Sequence, residues 1–297
     1  MLKAERHAGV ELAGRNVIVT GGAGGIGLET SRALAAVGAA VTIATRRPDE
    51  AERAVAELKR AMPEARLRVR RLDLADLSSV REFVESWNDP LHVLVNNAGV
   101  MAIPELHRTA EGREMQFATN YLGHFALALG LRPHLAKANG ARVVTVASTG
   151  SLFAPVFWDD PDFRFIPYDP LLSYGQSKTA CILMSVGITQ AWACDGITSN
   201  ALNPGAIATG LQKHTGGLRT PEHLRKTIEQ GAATSALLAG SPLVEGVSGK
   251  YFDDCQEAPV VEERGSGPFK GVARYAVDPN NAFRLWEMAT RMLASLV

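Results

Sequence analysis

Val17-Ile18-Val19-Thr20-Gly21-Gly22-Ala23-Gly24-Gly25-Ile26-Gly27 carries the strongest fold signal in the chain. A β-branched run, a glycine-rich turn and the opening of an apolar helical pattern follow without interruption. In that order, small residues let the backbone approach a pyrophosphate, and a helix N-terminus offers free N–H groups and partial positive charge. A plain tight turn would need neither neighbour. The spacing admits three patterns. Gly22, Gly24 and Gly27 fit G-x-G-x-x-G; Thr20 with Gly21, Gly25 and Gly27 fits T-G-x-x-x-G-x-G; Gly21, Gly24 and Gly27 fit T-G-x-x-G-x-x-G. The glycines alone do not choose.

Outward from the turn, strand-length apolar runs alternate with helical stretches. A helix is expected over 26–37, closing at Gly38, then a strand over 41–44 and a helix over 49–62 that Pro63 stops. The run 67–72 carries arginine at nearly every other position, which suits a strand near an edge. The runs 91–95 and 142–146 are continuously apolar, as central strands covered on both faces would be, and 197–202 and 250–252 supply two more. The pattern predicts an α/β fold: a single Rossmann-like doubly wound parallel sheet of about seven strands with helices on both faces. No repeat or composition break divides 1–297, so one nucleotide-binding domain is expected. Insertions at about 149–171 and 208–228 follow strand ends, where open α/β sheets bind ligands.

With 297 residues, the chain is long enough for a sizeable core. Lys+Arg 31 balances Asp+Glu 31, so no global charge points to nucleic acid or an anionic membrane. The arginines between positions 46 and 81 are interleaved with acidic residues, as on a solvated helix face. Cys181, Cys194 and Cys255 show no metal-ligand or disulfide spacing, and no metal site is expected. Cys181 falls in an apolar run and reads as a small buried hydrophobe. The first residues are too polar for a signal peptide, and no apolar run approaches the roughly 20 residues of a spanning helix. A soluble, cytoplasmic protein is expected.

The end of the second strand reads Thr45-Arg46-Arg47. A site for NAD usually places a carboxylate there for the ribose 2′-hydroxyl, whereas one for NADP prefers arginine. No carboxylate repels a 2′-phosphate here, and a guanidinium can grip one with two hydrogen bonds. NADP(H) is therefore the expected cofactor, held mainly through Arg46; the alternative is that both arginines are surface charges. Far downstream, Tyr174 and Lys178 stand four residues apart in Ser173-Tyr174-Gly175-Gln176-Ser177-Lys178. On a helix they project from one face, where an ammonium favours the phenolate and suits the phenol to acid–base work.

Taken together, Thr20-Gly21-x-x-x-Gly25-Ile26-Gly27, Asp73-Leu74, Asn96-Asn97-Ala98-Gly99, Asn120, Ser148, Tyr174-x-x-x-Lys178 and Asn203-Pro204-Gly205 resemble the short-chain dehydrogenase/reductase family over nearly the full chain. Asn120-Tyr121-Leu122-Gly123-His124-Phe125 and Gly249-Lys250-Tyr251-Phe252-Asp253-Asp254-Cys255 make it most similar to the retinol-dehydrogenase-like members. The resemblance implies that Tyr174 exchanges a proton with a carbonyl or alcohol oxygen, and that Lys178 assists it and holds the nicotinamide ribose. It implies that Ser148 hydrogen-bonds the carbonyl oxygen and that Asn120 seats a water linking Lys178 to a proton relay. Asp73 with Leu74 would approach the adenine, Asn96 and Ala98 would line the cofactor site, and Ile207 and Thr209, after Pro204, would contact the carboxamide. Thr149 and Ser151 rival Ser148, but Ser148 stands directly at the strand end. Tyr168 has no lysine four residues on. Ser148 and Tyr174 lie 26 positions apart, a long spacing that the retinol-dehydrogenase-like members share.

The insertion between them holds Phe153, Phe157, Trp158, Phe163, Phe165 and Tyr168, six aromatics in a chain only 6% aromatic. They could form an apolar wall over the nicotinamide or merely pin the insertion. Gly216-Gly217 and Thr220-Pro221 could flank a mobile lid, as that region does in the family. An apolar ketone, aldehyde or secondary alcohol is the expected substrate. A nucleotide-sugar epimerase or dehydratase, or a nucleotide-sensing binding protein, are the competing readings. The apolar helix after Lys178 is explained by core packing; the family often dimerises there, and the resemblance implies a homo-oligomer.

Overall fold

The computed structural model describes residues 10–218, 220–266 and 269–294. The first half alternates β1 (Asn16–Thr20), α1 (Gly25–Ala36), β2 (Ala40–Thr45), α2 (Pro48–Ala61), β3 (Arg66–Arg71), α3 (Leu77–Glu85) and β4 (Val93–Asn96). Then come α4 (Met115–Phe117), a π-helical turn (Ala118–Leu122), α5 (Gly123–Lys137), β5 (Arg142–Val146), α6 (Pro170–Trp192), β6 (Thr198–Asn203), α7 (Ile228–Gly240) and β7 (Tyr251–Asp253). The chain closes with β8 (Gln256–Glu257), β9 (Val260–Val261), β10 (Val272–Ala273), α8 (Arg274–Val277) and α9 (Pro279–Ala294).

One sheet of eight strands runs in the order β3-β2-β1-β4-β5-β6-β7-β8. Its first seven strands are parallel, and only β8 pairs antiparallel, on β7. This is the expected doubly wound sheet with one strand more. A two-residue strand carries no periodicity, so β8 leaves no mark in the sequence. The alternating arginines do mark an edge, since β3 ends the sheet. Arg68 and Arg70 turn their guanidiniums over the rings of Trp87 and Phe83, at 4.8 and 4.4 Å from the centroids. Two apolar layers sandwich the sheet. Leu94, Val143, Phe125, Leu131 and Ile182 build one beneath α3, α5 and α6; Val17, Val41, Val95, Leu34 and Leu238 build the other beneath α1, α2 and α7.

The apolar run after Lys178 packs within the chain. Trp286 of α9 meets Phe125 edge-to-face at 4.9 Å and Trp192 at 5.7 Å. Gly187 admits it, because a Cβ there would stand 3.1 Å from the indole. Among the described residues, no helix is long and apolar enough to cross a membrane.

The chain winds outward from β1 to β3 and returns with β4 beside β1 on its other side. At that reversal the loops leave in opposite directions and open a crevice at the carboxyl ends of the strands. The glycine turn leaves β1 there, Asn97 leaves β4 and Ser148 follows β5.

Candidate active site

The structure chooses among the three glycine patterns. Gly21 has φ +66°, and a Cβ on it would stand 2.8 Å from the Ala98 Cα. Gly25 has φ +54°, in the left-handed region that favours glycine. A Cβ on Gly27 would come within 2.4 Å of Asn97 Nδ2 and 2.6 Å of the Gly21 carbonyl oxygen. Gly24 needs no glycine: its backbone is extended, with φ −170°, and a Cβ would meet nothing within 4 Å. Both patterns that invoke Gly24 therefore lose their reason, and T-G-x-x-x-G-x-G remains. At the start of α1 no side chain caps the helix and no acidic residue lies in the first turn. The leading N–H groups thus have no side-chain partner, and with the helix dipole they suit an anion.

The turn is held from β4. The Asn97 N–H donates to Thr20 Oγ1 (2.9 Å), and its Nδ2 donates to the Thr20 carbonyl (2.8 Å). Ala98 N–H donates to the same hydroxyl at 3.0 Å. The residue expected to line the cofactor site is Asn96, whereas the side chain that holds the turn is that of Asn97. The Asn96 side chain is buried within the sheet, 3.5 Å from Thr145 Oγ1, because strand alternation turns it toward α6. Asn97 is the first residue beyond the strand, and that placement was the available signal.

Tyr174, Lys178, Ser148 and Asn120 converge. The Lys178 ammonium lies 5.7 Å from the Tyr174 ring centroid and donates to the Val146 carbonyl at 2.9 Å. Both side chains are buried, 4% exposed each. Gly99 and Gly150 make room for them. A Cβ on Gly99 would stand 3.1 Å from Asn120 Oδ1 and 3.6 Å from Lys178 Nζ, and one on Gly150 would stand 2.7 Å from the Tyr174 ring and 3.4 Å from Ser148 Oγ. Ser148 Oγ accepts the Gly150 N–H at 3.0 Å and donates to no group among the described residues. Thr149 opens the short helical turn that Ser148 caps, and the Ser151 side chain is fully buried.

Asn120 sits in the π-helical turn, a device found often at functional positions. Its Nδ2 donates to the Val100 carbonyl and to Ser177 Oγ, both at 2.9 Å, while its Oδ1 accepts the Val100 N–H at 2.8 Å. Ser177 Oγ in turn donates to the Tyr174 carbonyl at 2.7 Å. The Asn120 carbonyl oxygen lies 2.8 Å from His124 Nδ1 and accepts the Cys181 thiol at 3.2 Å. Burial pushes His124 down to about 4, with Lys178 adding a smaller push against the Asn120 contact, so the imidazole is neutral at ordinary pH. Cys181 is buried as expected, and burial pushes its thiol up.

At the adenosine end, Asp73 follows β3 and its carboxylate accepts the Ala75 N–H at 3.0 Å; Leu74 is buried against the backbone of Gly123. Arg47 pairs with Glu50 at 3.0 Å, whereas no hydrogen bond or ion pair among the described residues engages the exposed Arg46 guanidinium. After Pro204, Ile207 is buried against Gly231, and the Thr209 methyl would stand 3.3 Å from a Cβ on Gly25. The segment after β6 therefore returns to the glycine turn. Its base is tied by Lys226, which pairs with Asp254, and Gly216 and Gly217 both take positive φ.

The aromatic insertion is mostly pinned. Phe163 packs edge-on against Phe157 at 5.5 Å and Tyr168 at 5.3 Å, Phe153 against Phe269 at 5.4 Å, and Trp158 lies 4.5 Å under the Arg284 guanidinium. Tyr168 donates to the Ile103 carbonyl at 2.9 Å. Burial and nearby Glu114 push this phenol up to about 12. Arg113 clamps Asp162 at 3.0 Å. Of the six rings only Phe165, 90% exposed, lacks such packing.

The profile of the short chain dehydrogenase family matches residues 15–217. The chain is 51% identical to a Streptomyces antibioticus protein named "Probable oxidoreductase", over 96% of this chain and 99% of that one. It is 34% identical to Retinol dehydrogenase 13 of Mus musculus, over 94% of this chain and 84% of that one. The solved structure of an uncharacterized protein from Mycobacterium Paratuberculosis aligns with a TM-score of 0.76 at 31% identity, covering 96% of each chain. With its glycine turn and tyrosine–lysine pair in one crevice, the chain belongs to the short-chain dehydrogenase/reductase family of oxidoreductases, among its retinol-dehydrogenase-like members.

Proposed function

We infer that this protein is an NADP(H)-dependent oxidoreductase interconverting a carbonyl and an alcohol on a largely apolar substrate, folded as one domain. The observation that carries the reading is the meeting of Tyr174, Lys178, Ser148 and Asn120 around Gly99 and Gly150, beside the turn that Asn97 holds. That turn fits a dinucleotide, since no side chain caps the helix it opens and a Cβ on Gly24 would meet nothing within 4 Å. A nicotinamide cofactor, when bound, supplies or accepts the hydride.

The chain's own residues do the rest. Tyr174 gives its phenolic proton to the carbonyl oxygen in reduction and takes it back in oxidation. The buried Lys178 ammonium stabilises the phenolate left behind and holds the nicotinamide ribose. Ser148, with its lone pair on the Gly150 N–H, keeps its own proton to donate to the substrate oxygen. Asn120 fixes the Gly99–Val100 backbone and can seat the water that returns a proton through Lys178. Thr20, Gly21, Gly25, Ile26 and Gly27 receive the phosphates, Asp73 and Leu74 the adenine, the Asn96 backbone and Ala98 the adjoining wall, and Pro204, Ile207 and Thr209 the carboxamide. Leu171, half-exposed, stands one turn before Tyr174 on the same face.

Arg46 is the residue free to grip a 2′-phosphate. Arg46→Ala should raise KM for NADPH by about 10- to 100-fold, the loss expected for hydrogen bonds to a charged group, with KM for NADH within about 2-fold. Nicotinamide absorbance against a panel of apolar ketones, aldehydes and alcohols reads both this and the substrate class. An unchanged NADPH/NADH preference removes Arg46 from the role, and turnover of small hydrophilic sugars alone removes the apolar substrate.

A further inference from the structure

His124 has no place in the mechanism above, yet it is buried, 1% exposed, between the two halves of the site. Its ring bridges the π-helical turn and the strand end from which the glycine turn departs. We propose that His124 is a positioning residue that locks the nucleotide turn to the catalytic bulge, so that seating the cofactor and aligning Asn120 become one event. The proposal rests on the function inferred above.

The hydrogen-bond chemistry fixes the ring. Nδ1 faces the Asn120 carbonyl, which can only accept, so Nδ1 carries the proton. Nε2 is then a bare lone pair 2.8 Å from Thr20 Oγ1, and the hydroxyl donates to it in preference to the Val95 carbonyl, which lies farther off at 3.4 Å. That hydroxyl already accepts two N–H groups, from Asn97 at 2.9 Å and Ala98 at 3.0 Å. Each donor and acceptor is used, leaving one tautomer and one rotamer. A protonated ring would aim a third donor at an oxygen already accepting two.

The consequence is mechanical. Thr20 is the last residue of β1, and its carbonyl also accepts from Asn97. On the other side, Asn120 reaches Val100 and, through Ser177, the backbone of Tyr174. His124 therefore joins β1, β4, the π-helical turn and α6 through one side chain. Leucine or phenylalanine would fill the same volume and carry neither bond.

Three variants of the full chain test this, with NADPH dissociation constants from nicotinamide fluorescence and kcat at saturating NADPH and carbonyl substrate. His124→Phe should weaken NADPH binding by about 10-fold and lower kcat by about 10-fold, the scale of one lost buried hydrogen bond at each end. Asn can place its amide nitrogen near the Nδ1 position, so His124→Asn should recover kcat to within about 3-fold while NADPH binding stays weak. Gln reaches the Nε2 position, so His124→Gln should recover NADPH binding while kcat stays low. This split is what a residue that merely fills the core would not produce. If His124→Phe does not fold, the Asn and Gln pair still decides. Parent-like values in all folded variants, or equal losses of both quantities in the Asn and Gln variants, overturn the proposal. A parent protein that neither binds NADPH nor turns over any carbonyl instead overturns the proposed function, and the coupling with it.

Discussion

Tyr174→Phe is expected to lower kcat for carbonyl reduction by about 10²–10⁴-fold, the usual contribution of a positioned general acid, with NADPH bound within about 2-fold of the parent. The substitution removes one oxygen and keeps the ring. That ring is buried, lies against Gly150 and shares its face with Lys178, so phenylalanine preserves the packing. No hydrogen bond among the described residues engages the Tyr174 hydroxyl, so its loss leaves no stranded partner in the fold. The effect should therefore fall on turnover. Stopped-flow or steady-state absorbance of NADPH reads kcat, and fluorescence titration reads binding. Equal turnover by parent and variant would assign the proton to another group; Tyr168 is held by Ile103 and Gln116 and cannot readily replace it.

Gly27→Ala should abolish measurable NADPH binding and destabilise the fold by about 1–3 kcal/mol, the cost of overpacking a well-filled site. The added methyl would stand 2.4 Å from Asn97 Nδ2 and 2.6 Å from the Gly21 carbonyl oxygen. Neither is a flexible tip that can swing away. Asn97 is the clamp on Thr20, and the Gly21 carbonyl is backbone within the turn. Relief of the clash must shift the cradle or release the clamp, and either misplaces the N–H groups aimed at the phosphates. Gly24→Ala is the control, since its Cβ enters open space from an extended backbone. It should keep melting temperature and NADPH affinity. A Gly27→Ala protein that melts and binds like the parent would show that Gly27 is not the close-approach position.

Much of the fold was legible because its signals are local. The apolar run at 142–146 coincides with β5, the alternating arginines mark β3 as an edge, and Gly38, with φ +93°, ends the turn after α1. Strands buried on both faces write themselves as continuous apolar runs, so β1, β2, β4 and β5 could hardly be mistaken. What escaped depends on tertiary contact. The choice among glycine patterns required knowing what each Cβ would strike. Asn96 and Asn97 look alike in sequence, and only the strand end separates the buried one from the one that clamps the turn. His124 lies one turn beyond Asn120, but nothing local shows that its other nitrogen meets Thr20, 104 positions away. The aromatic insertion likewise permitted two readings. Its ring pairs and the Arg113–Asp162 contact show anchoring for most of it.

The most direct measurement is a crystal structure of the protein with NADPH bound. The pyrophosphate should lie at the N-terminus of α1, the 2′-phosphate on Arg46, and the nicotinamide ring in the crevice beside Tyr174 and Ser148, its ribose on Lys178. A nicotinamide remote from the Tyr174 hydroxyl, with the phosphates away from Gly21–Gly27, would contradict it.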